Sequence, residues 1–336
     1  MGEVVAPTDQ NRMTGVMDAV VLRRFGGPEE LRVEKVPEPV PTEGQSLVDV
    51  SLAGVNFGDL EQRRGDNDQP LPVVLGVDVV GVRRRDGQRV AVLMRDGGGY
   101  ARVAAATDAY SVTVPDHVDD EQAVGLLEQG ATAFGALVLV GRLRAGESVA
   151  VTAAAGGVGH LAVQLAVAYG ASPVIGIATT PEKRALVTTF GADVVLDADD
   201  LDGRLRAATG GRGVDLVVDG TGGKPARAAL RGLAPFGRLI CYGFRADDPA
   251  RGSIPVTTEE LATRSVGCAG FWMRHVVDDL ALLTGISDEL FGLAKQGRLA
   301  AHIDRVVSLA DVPAAHAAMA AHATAGKVLI DVNRGH

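Results

Sequence analysis

A glycine-rich turn between an apolar strand and a helix is the feature that most constrains how this chain folds. Residues 149–159 comprise the end of the strand, the turn and the start of the helix, with the spacing A-x-x-G-x-x-G from Ala153. Glycines at this spacing let the backbone approach a pyrophosphate, which the amide N–H groups and the positive end of the helix dipole then stabilise. A single tight turn of this kind is weak evidence, because any strand-to-helix connection can use glycine.

Repeated strand and helix patterns follow this turn and strengthen its interpretation. Apolar strands are predicted at residues 148–153, 173–177, 192–196, 214–219 and 238–242. Between the first two, Leu161, Leu165 and Ala168 share one face of a helix over residues 157–169, and Gly170 supplies a left-handed stop. This alternation is typical of a doubly wound parallel sheet, so we predict an α/β fold with a Rossmann dinucleotide domain at residues 126–267.

The regions on either side of that domain have a different rhythm. Residues 46–52 and 88–93 alternate apolar and polar positions between turns that contain glycine or proline, which predicts a curled antiparallel sheet. Residues 326–332 form a closing strand that we expect to rejoin this sheet, so that the Rossmann domain is an insertion. The second domain then comprises residues 17–125 and 268–336, and residues 1–16 are predicted to be a disordered leader.

Charge and composition exclude several classes of protein. A net charge of −9 and a pI of about 5.3 argue against binding nucleic acid or anionic lipid, which depends on clustered Lys and Arg. We find no apolar run of membrane-spanning length and no N-terminal targeting pattern, so a cytoplasmic location is expected. Cys241 and Cys268 are too few for a disulfide framework or a four-cysteine zinc site.

The tip of the second Rossmann strand bears on the choice of dinucleotide. Ala178 lies where an acidic residue would bind the ribose 2′-hydroxyl of NAD. Thr180 is a good N-cap and Pro181 a good first helical residue, which puts Lys183 in the first turn, where a cation opposes the helix dipole. With Thr179, Thr180 and Arg184 nearby, Lys183 can bind a 2′-phosphate, which favours NADPH. The alternative is that Lys183 is only a surface charge.

Several further motifs occur along the chain in a recognisable order, and together they resemble the quinone oxidoreductase branch of the medium-chain dehydrogenase/reductase superfamily. They lie at residues 53–59, 129–133, 155–159, 214–223 and 326–328. The resemblance covers the chain from Met17 onward. It implies a GroES-like β-barrel catalytic domain that is discontinuous in sequence, a Rossmann cofactor domain between its halves, a cleft between the two, and commonly a homodimer.

The resemblance also bears on metal chemistry. Zinc-dependent members of the superfamily place a Cys near the position of Asn56 and a His-Glu pair near Val77 and Asp78. None of these ligands is present here, so a tetrahedral nitrogen and sulfur site is not expected and no metal is predicted. The seven histidines are scattered along the chain.

Site residues follow from the resemblance and from the glycine-rich turn. Asn56 and Thr132 are expected beside the nicotinamide and are the predicted catalytic residues. The predicted cofactor-binding residues are Ala155, Gly156, Gly157, Val158, Gly159, Thr179, Thr180, Lys183, Arg184, Gly220, Thr221, Tyr242, Gly243, Phe244, Phe271, Trp272 and Lys327. For Phe271 and Trp272, a core or dimer-interface strand is the alternative.

Two departures from the family pattern concern the substrate and the cofactor. Many relatives have a tyrosine two residues after the glycine equivalent to Gly65, where it helps to position or protonate the substrate, whereas this chain has Asn67. His322 stands where an arginine commonly contacts the cofactor, which leaves more of the phosphate recognition to Lys183 and Arg184.

These features predict an NADPH-dependent, zinc-independent oxidoreductase that transfers hydride to a quinone or an α,β-unsaturated carbonyl compound. The absent tyrosine favours quinones or simple enones, because quinone oxygens can take protons from water. A 2-enoyl thioester reductase, suggested by residues 270–272, is one alternative. An NADPH-binding structural or regulatory protein with little activity is another, because fold does not determine function.

Overall fold

The computed structural model describes residues 15–66, 69–243 and 254–335. The first strand begins at Val16, the last residue of the predicted leader and one residue before the predicted start, and residues 1–14 lie outside the described residues. Asn67, at the position of the absent tyrosine, and Phe244, a predicted cofactor contact, also lie outside them.

Strands and helices are numbered in chain order within the described residues. The strands are β1 Val16–Leu22, β2 Leu31–Pro37, β3 Gln45–Val55, β4 Val73–Val74, β5 Asp78–Arg83, β6 Arg89–Leu93, β7 Val103–Thr107, β8 Ser111–Thr113, β9 Val149–Val151, β10 Val174–Ile177, β11 Val194–Leu196, β12 Val214–Asp219, β13 Leu233–Cys241, β14 Gly267–Gly270, β15 Ile303–Ser308 and β16 Lys327–Asp331. The helices are α1 Phe57–Arg64, α2 Asp120–Phe134, α3 Gly159–Ala168, α4 Pro181–Thr189, α5 Leu201–Ala208, α6 Gly223–Arg231, α7 Thr258–Arg264, α8 Arg274–Val277, α9 Leu280–Lys295 and α10 Val312–Ala320.

Six strands form a parallel sheet in the order β11-β10-β9-β12-β13-β14. The five strands predicted from the sequence all belong to it, and β9 and β10 are buried along their whole length, as expected for strands covered on both faces. The prediction was wrong at its far edge, because residues 268–270 were assigned to the other domain but pair with β13 as part of β14. This strand is short and rich in small residues, so no apolar run marks it in the sequence.

A mostly antiparallel seven-stranded sheet holds the chain on both sides of the insertion, in the order β15-β16-β3-β5-β6-β8, with β7 also paired to β3. A three-stranded sheet, β2-β1-β4, completes the barrel-like first region. The closing strand does rejoin the first region, because β16 runs antiparallel to β3 with Val328 opposite Val55. As a result, the ends of β3 and the starts of β5 and β16 meet at one edge of the sheet.

Helix α2 lies at the junction of the two sheets. Its buried residues Leu126 and Leu127 share a core with Val80 of β5 and with Val149 of β9. It continues through a π-helical segment, Gly135–Val140, to make a helix of 21 residues that is long and apolar enough to cross a membrane by length and composition. The expectation that no apolar run reaches that length was therefore wrong. Most of this helix is buried inside the protein, which explains its apolar composition.

Candidate functional site

The glycine-rich turn folds tightly at the carboxyl end of β9. Ala153 adopts a left-handed conformation with φ of 47°, and the Gly156 amide donates to the Ala153 carbonyl at 2.8 Å. A side chain at Gly159 would overlap the same carbonyl oxygen, so only glycine fits the first position of α3. Close packing of the turn on the helix start explains this glycine without reference to a ligand.

Three successive amides at the start of α3 point to what the turn can bind. Among the described residues, no hydrogen bond uses the amide N–H groups of Gly157, Val158 or Gly159. They belong to a helix N-terminus, where unpaired donors and the helix dipole attract an anion. A pyrophosphate therefore fits this turn as the sequence predicts.

Two contacts hold the turn against the rest of the protein. The Gly326 amide, just before β16, donates to the Ala155 carbonyl at 2.7 Å. The buried His160 ring lies 2.8 Å from the Gly156 carbonyl through Nδ1, and its Nε2 accepts from the His302 amide at 2.9 Å. Accepting at Nε2 requires a neutral ring that donates at Nδ1. Burial agrees with this assignment, because it lowers the pKa of His160 to about 4.

The tip of β10 is arranged as predicted for a helix start. Thr180 is the N-cap and accepts from the Lys183 amide at 3.3 Å, and Pro181 is the first helical residue. The half-buried Lys183 extends its ammonium to the His322 carbonyl, at 2.7 Å, and Arg184 donates to the Thr179 carbonyl at 2.8 Å. Desolvation lowers the pKa of Lys183, and the nearby Asp304 acts in the opposite direction. Lys183 and Arg184 thus place two cations in the same segment as the exposed Thr179 and Thr180, a combination that suits a phosphate.

The end of β12 forms a second loop beside the glycine-rich turn. The buried Asp219 carboxylate accepts from the Thr152 hydroxyl at 2.6 Å, from the Thr221 hydroxyl at 2.7 Å and from the Gly222 amide at 2.8 Å. The Gly220 amide in turn donates to the Thr152 hydroxyl at 3.1 Å. Asp219 therefore fixes the backbone of the predicted cofactor residues Gly220 and Thr221.

The aromatic residues predicted at the site differ in their environments. The Tyr242 ring packs on Gly220, where a side chain on the glycine would overlap it. Phe271 is buried in the main core, with its ring against Gly135, so the core alternative holds for this residue and a cofactor contact by Phe271 has no support. Trp272 is exposed, and its contact with the cofactor remains a prediction.

A buried polar cluster lies where β3 ends and β5 and β16 begin. It comprises Asn56, Asp78, Gln129 and Lys327 and is called the Lys327 cluster. The Lys327 ammonium lies 2.7 Å from an Asp78 carboxylate oxygen and 2.9 Å from Asn56 Oδ1. Asn56 Nδ2 donates to Asp78 at 2.7 Å and to the Gly54 carbonyl at 3.4 Å, and Gln129 Nε2 donates to Asn56 Oδ1. Both amide hydrogens of Asn56 are thus already donated to protein acceptors.

Asp59 is the N3 residue of the capping box at the start of α1, whose N-cap is Asn56. Its carboxylate accepts from the Asn56 amide at 2.8 Å, in a capping box at the start of α1, and from the Tyr100 hydroxyl at 2.8 Å. Burial, with the nearby charge of Asp78, raises the pKa of Asp59 to about 7. Because the Asp59 side chain is fully buried beneath Tyr100, its role is structural.

Two polar side chains one turn apart on α2 face the junction. Thr132 is buried, and its hydroxyl forms no hydrogen bond with any described residue. Glu128 is half-buried, and burial raises its pKa to about 7. The Thr132 hydroxyl lies near enough to lower that pKa without forming a regular hydrogen bond. A buried hydroxyl without a partner is unusual in a native protein and marks a place where a ligand can bind.

Sequence reasoning missed Glu128, Asp78, Gln129, Asp219 and His160. A signal was present for three of them, because Glu128 interrupts an apolar helix and Asp78 and Asp219 sit at the ends of apolar strands. The hydrogen bond between Asp219 and Thr152 joins residues 67 apart, and the ion pair between Asp78 and Lys327 joins residues 249 apart, so these two pairings were not visible in the sequence. Within residues 15–66, 69–243 and 254–335, no three His, Cys, Asp or Glu residues are grouped to hold a metal ion.

Comparison with known proteins gives a consistent result. Residues 157–284 match the family described as zinc-binding dehydrogenase. A quinone oxidoreductase from Pseudomonas aeruginosa is 32% identical over 322 residues, covering 91% of this chain and 97% of the relative. The human synaptic vesicle membrane protein VAT-1 homolog is 30% identical over 343 residues, covering 94% and 86%. A mycobacterial protein solved in complex with NADPH superposes with a TM-score of 0.86 at 32% identity, over 94% of this chain and 99% of that chain.

Proposed function

Because this chain belongs to the quinone oxidoreductase-like group of the medium-chain dehydrogenase/reductase superfamily, we propose that it is an NADPH-dependent oxidoreductase acting on a quinone or an α,β-unsaturated carbonyl compound. The observation that carries the proposal is the row of amides at Gly157, Val158 and Gly159, which no described residue uses. These donors fit the pyrophosphate of a dinucleotide.

The preference for NADPH rests on the two cations at the tip of β10. Lys183 and Arg184 are half-buried and donate only to backbone carbonyls in the described part of the chain. In our proposal they bind the 2′-phosphate together with the exposed Thr179 and Thr180. The mycobacterial structural relative, solved with NADPH, supports this choice.

Individual residues of the chain have distinct roles in the proposed reaction. When bound, NADPH supplies a hydride from C4 of its nicotinamide. Thr132 offers a buried hydroxyl that forms no regular hydrogen bond with the residues the structure describes, which suits it to bind the nicotinamide amide or the acceptor oxygen. Asn56 has no amide hydrogen left to donate, so we assign it to positioning Lys327 in place of stabilising an oxyanion directly.

Of the two alternatives, the first is a 2-enoyl thioester reductase. It was suggested by residues 270–272, but Phe271 packs in the core against Gly135. The second alternative, a dinucleotide-binding protein with little activity, is tested by assaying acceptors. We further propose a cytoplasmic homodimer that binds a small molecule and no nucleic acid or membrane.

The test is an acceptor screen in which quinones, simple enones and an enoyl thioester are each assayed with NADPH and with NADH. We expect NADPH oxidation, followed by its absorbance, with quinones or enones, and much slower turnover with NADH. Turnover of the thioester alone would favour the first alternative. Dinucleotide binding without oxidation across the whole panel would favour the second.

A further inference from the structure

Glu128 is a carboxyl group in an unusual place. It lies on α2 one turn before Thr132, and residues four apart face the same side of a helix. The residues around it on the helix, Leu126, Leu127 and Ala131, are buried apolar core residues. Glu128 forms no ion pair with any described residue. A half-buried, unpaired carboxyl in an apolar helix is costly and calls for a functional explanation.

The groups around Glu128 come from both sheets. From the seven-stranded sheet and α1, the charges of Lys327, Asp78 and Asp59 act on its carboxyl. From the six-stranded sheet, Tyr242 is close enough for the Glu128 charge to raise its pKa. The carboxyl group therefore lies at the junction between the Lys327 cluster and Tyr242, on the side of α2 that carries the unpartnered Thr132 hydroxyl.

We propose that Glu128 is the proton donor of this enzyme and replaces the tyrosine that many relatives carry two residues after the glycine equivalent to Gly65. The inference rests on the proposed function. In the step, hydride transfer adds two electrons to the acceptor and leaves an enolate or hydroquinone anion. The O–H bond of the Glu128 carboxylic acid breaks, a bond from that proton to the anion forms, and the carboxylate is left behind. Because Glu128 is only half-buried, it then regains a proton from water.

The electrostatics of the site suit this role. Burial favours the neutral acid, which raises the pKa of Glu128 to about 7, while the Lys327 charge limits the shift. An acid with a pKa near the working pH is protonated often enough to donate and is acidic enough to do so readily. Asp59 has a similar pKa, but it is sealed beneath Tyr100 and cannot reach an acceptor.

The first measurement concerns the carboxyl group itself and needs no turnover. In cofactor-free protein labelled with ¹³C at the glutamate side-chain carboxyl, we expect one resonance to titrate near pH 7 and to be missing from Glu128→Gln. Asp59 does not appear in this spectrum. A Glu128 resonance that titrates near the ordinary value for glutamate would overturn the proposal.

The second measurement is the pH dependence of kcat with the best acceptor of the screen. In the native protein, kcat should fall about tenfold per pH unit above pH 7, as the acid form is lost. Glu128→Gln should lower kcat at pH 6 by about 10²-fold and remove this decline, while Glu128→Asp should retain it. The affinity for NADPH, measured through the fluorescence of the single tryptophan, Trp272, should change less than twofold.

The matched control is Glu121→Gln, which removes an exposed carboxyl from the first turn of the same helix and should leave both measurements unchanged. If native protein reduces an acceptor but Glu128→Gln keeps its rate and pH profile, the proton-donor role is overturned and the proposed function stands. If native protein reduces no acceptor at all, the proposed function fails, and the proton-donor role fails with it.

Discussion

The Lys327 ammonium and the Asp78 carboxylate form an ion pair 2.7 Å long whose side chains are 1% and 0% exposed. The pair exists because β16 and β5 flank β3, which brings the first residue of each strand to the same edge of the sheet. Gly54 lies between them, and any side chain there would overlap both charged groups. The pair thus couples the closing strand to the first part of the chain.

Replacing Lys327 with methionine should strongly destabilise the protein. The variant leaves the Asp78 carboxylate buried without its partner, so we expect the free energy of unfolding to fall by about 3 to 5 kcal/mol. Urea denaturation followed by circular dichroism measures this change.

The double variant Lys327→Met with Asp78→Asn removes both charges and serves as the control. It should recover part of the lost stability, because no uncompensated charge remains buried. Additive losses in the double variant would mean that the two side chains are not coupled.

Replacing Thr152 with valine should weaken NADPH binding without unfolding the protein. The variant removes a hydrogen bond to the buried Asp219 carboxylate, worth about 1.5 to 3 kcal/mol, and loosens the loop that contains Gly220 and Thr221. We expect the Kd for NADPH, measured by calorimetry, to rise about tenfold or more. Thr152→Ser keeps the hydroxyl and should bind normally. Equal affinities for the valine and serine variants would contradict this role.

Replacing Lys183 with alanine should reduce discrimination between the two dinucleotides. Loss of a charged hydrogen bond to the 2′-phosphate should raise the Kd for NADPH about 10- to 100-fold and leave that for NADH nearly unchanged. The exposed Lys295, in the last turn of α9, provides the control variant Lys295→Ala, which should affect neither. An equal loss of affinity for both dinucleotides would show that Lys183 does not bind the 2′-phosphate.

Acid should destabilise the protein through His160. Its pKa is about 4 in the folded protein and about 6.5 when unfolded, so below pH 6.5 the unfolded chain binds more protons. The contribution of His160 is complete above pH 6.5 and is lost as the pH falls to about 4, amounting to about 3 kcal/mol. His316, whose pKa burial lowers to about 3, acts in the same direction.

The variant His160→Gln isolates this effect, because glutamine can keep both hydrogen bonds and has no proton to gain. Relative to native protein, its free energy of unfolding should fall less between pH 6.5 and pH 4, as measured by urea titrations at several pH values. Identical pH dependences for the two proteins would rule out the buried neutral histidine as the cause.

Local patterns in the sequence determined much of this protein. The order of strands and helices from residue 148 to 242, the glycine-rich turn and the N-cap at Thr180 all follow from interactions between residues close in the chain, whose periodicity and capping preferences are visible in the sequence. The family motifs added the discontinuous second domain and the place of the closing strand.

Only the tertiary structure decided which polar groups pair in the interior. Asn56, Asp78 and Lys327 meet because of strand register across more than 200 residues, and Glu128 forms no ion pair with any residue that the structure describes. The same packing turned Phe271 into the core and added β14 to the sheet. Burial and long-range pairing set the charge state of a buried group, and neither quantity can be derived from its neighbours in sequence.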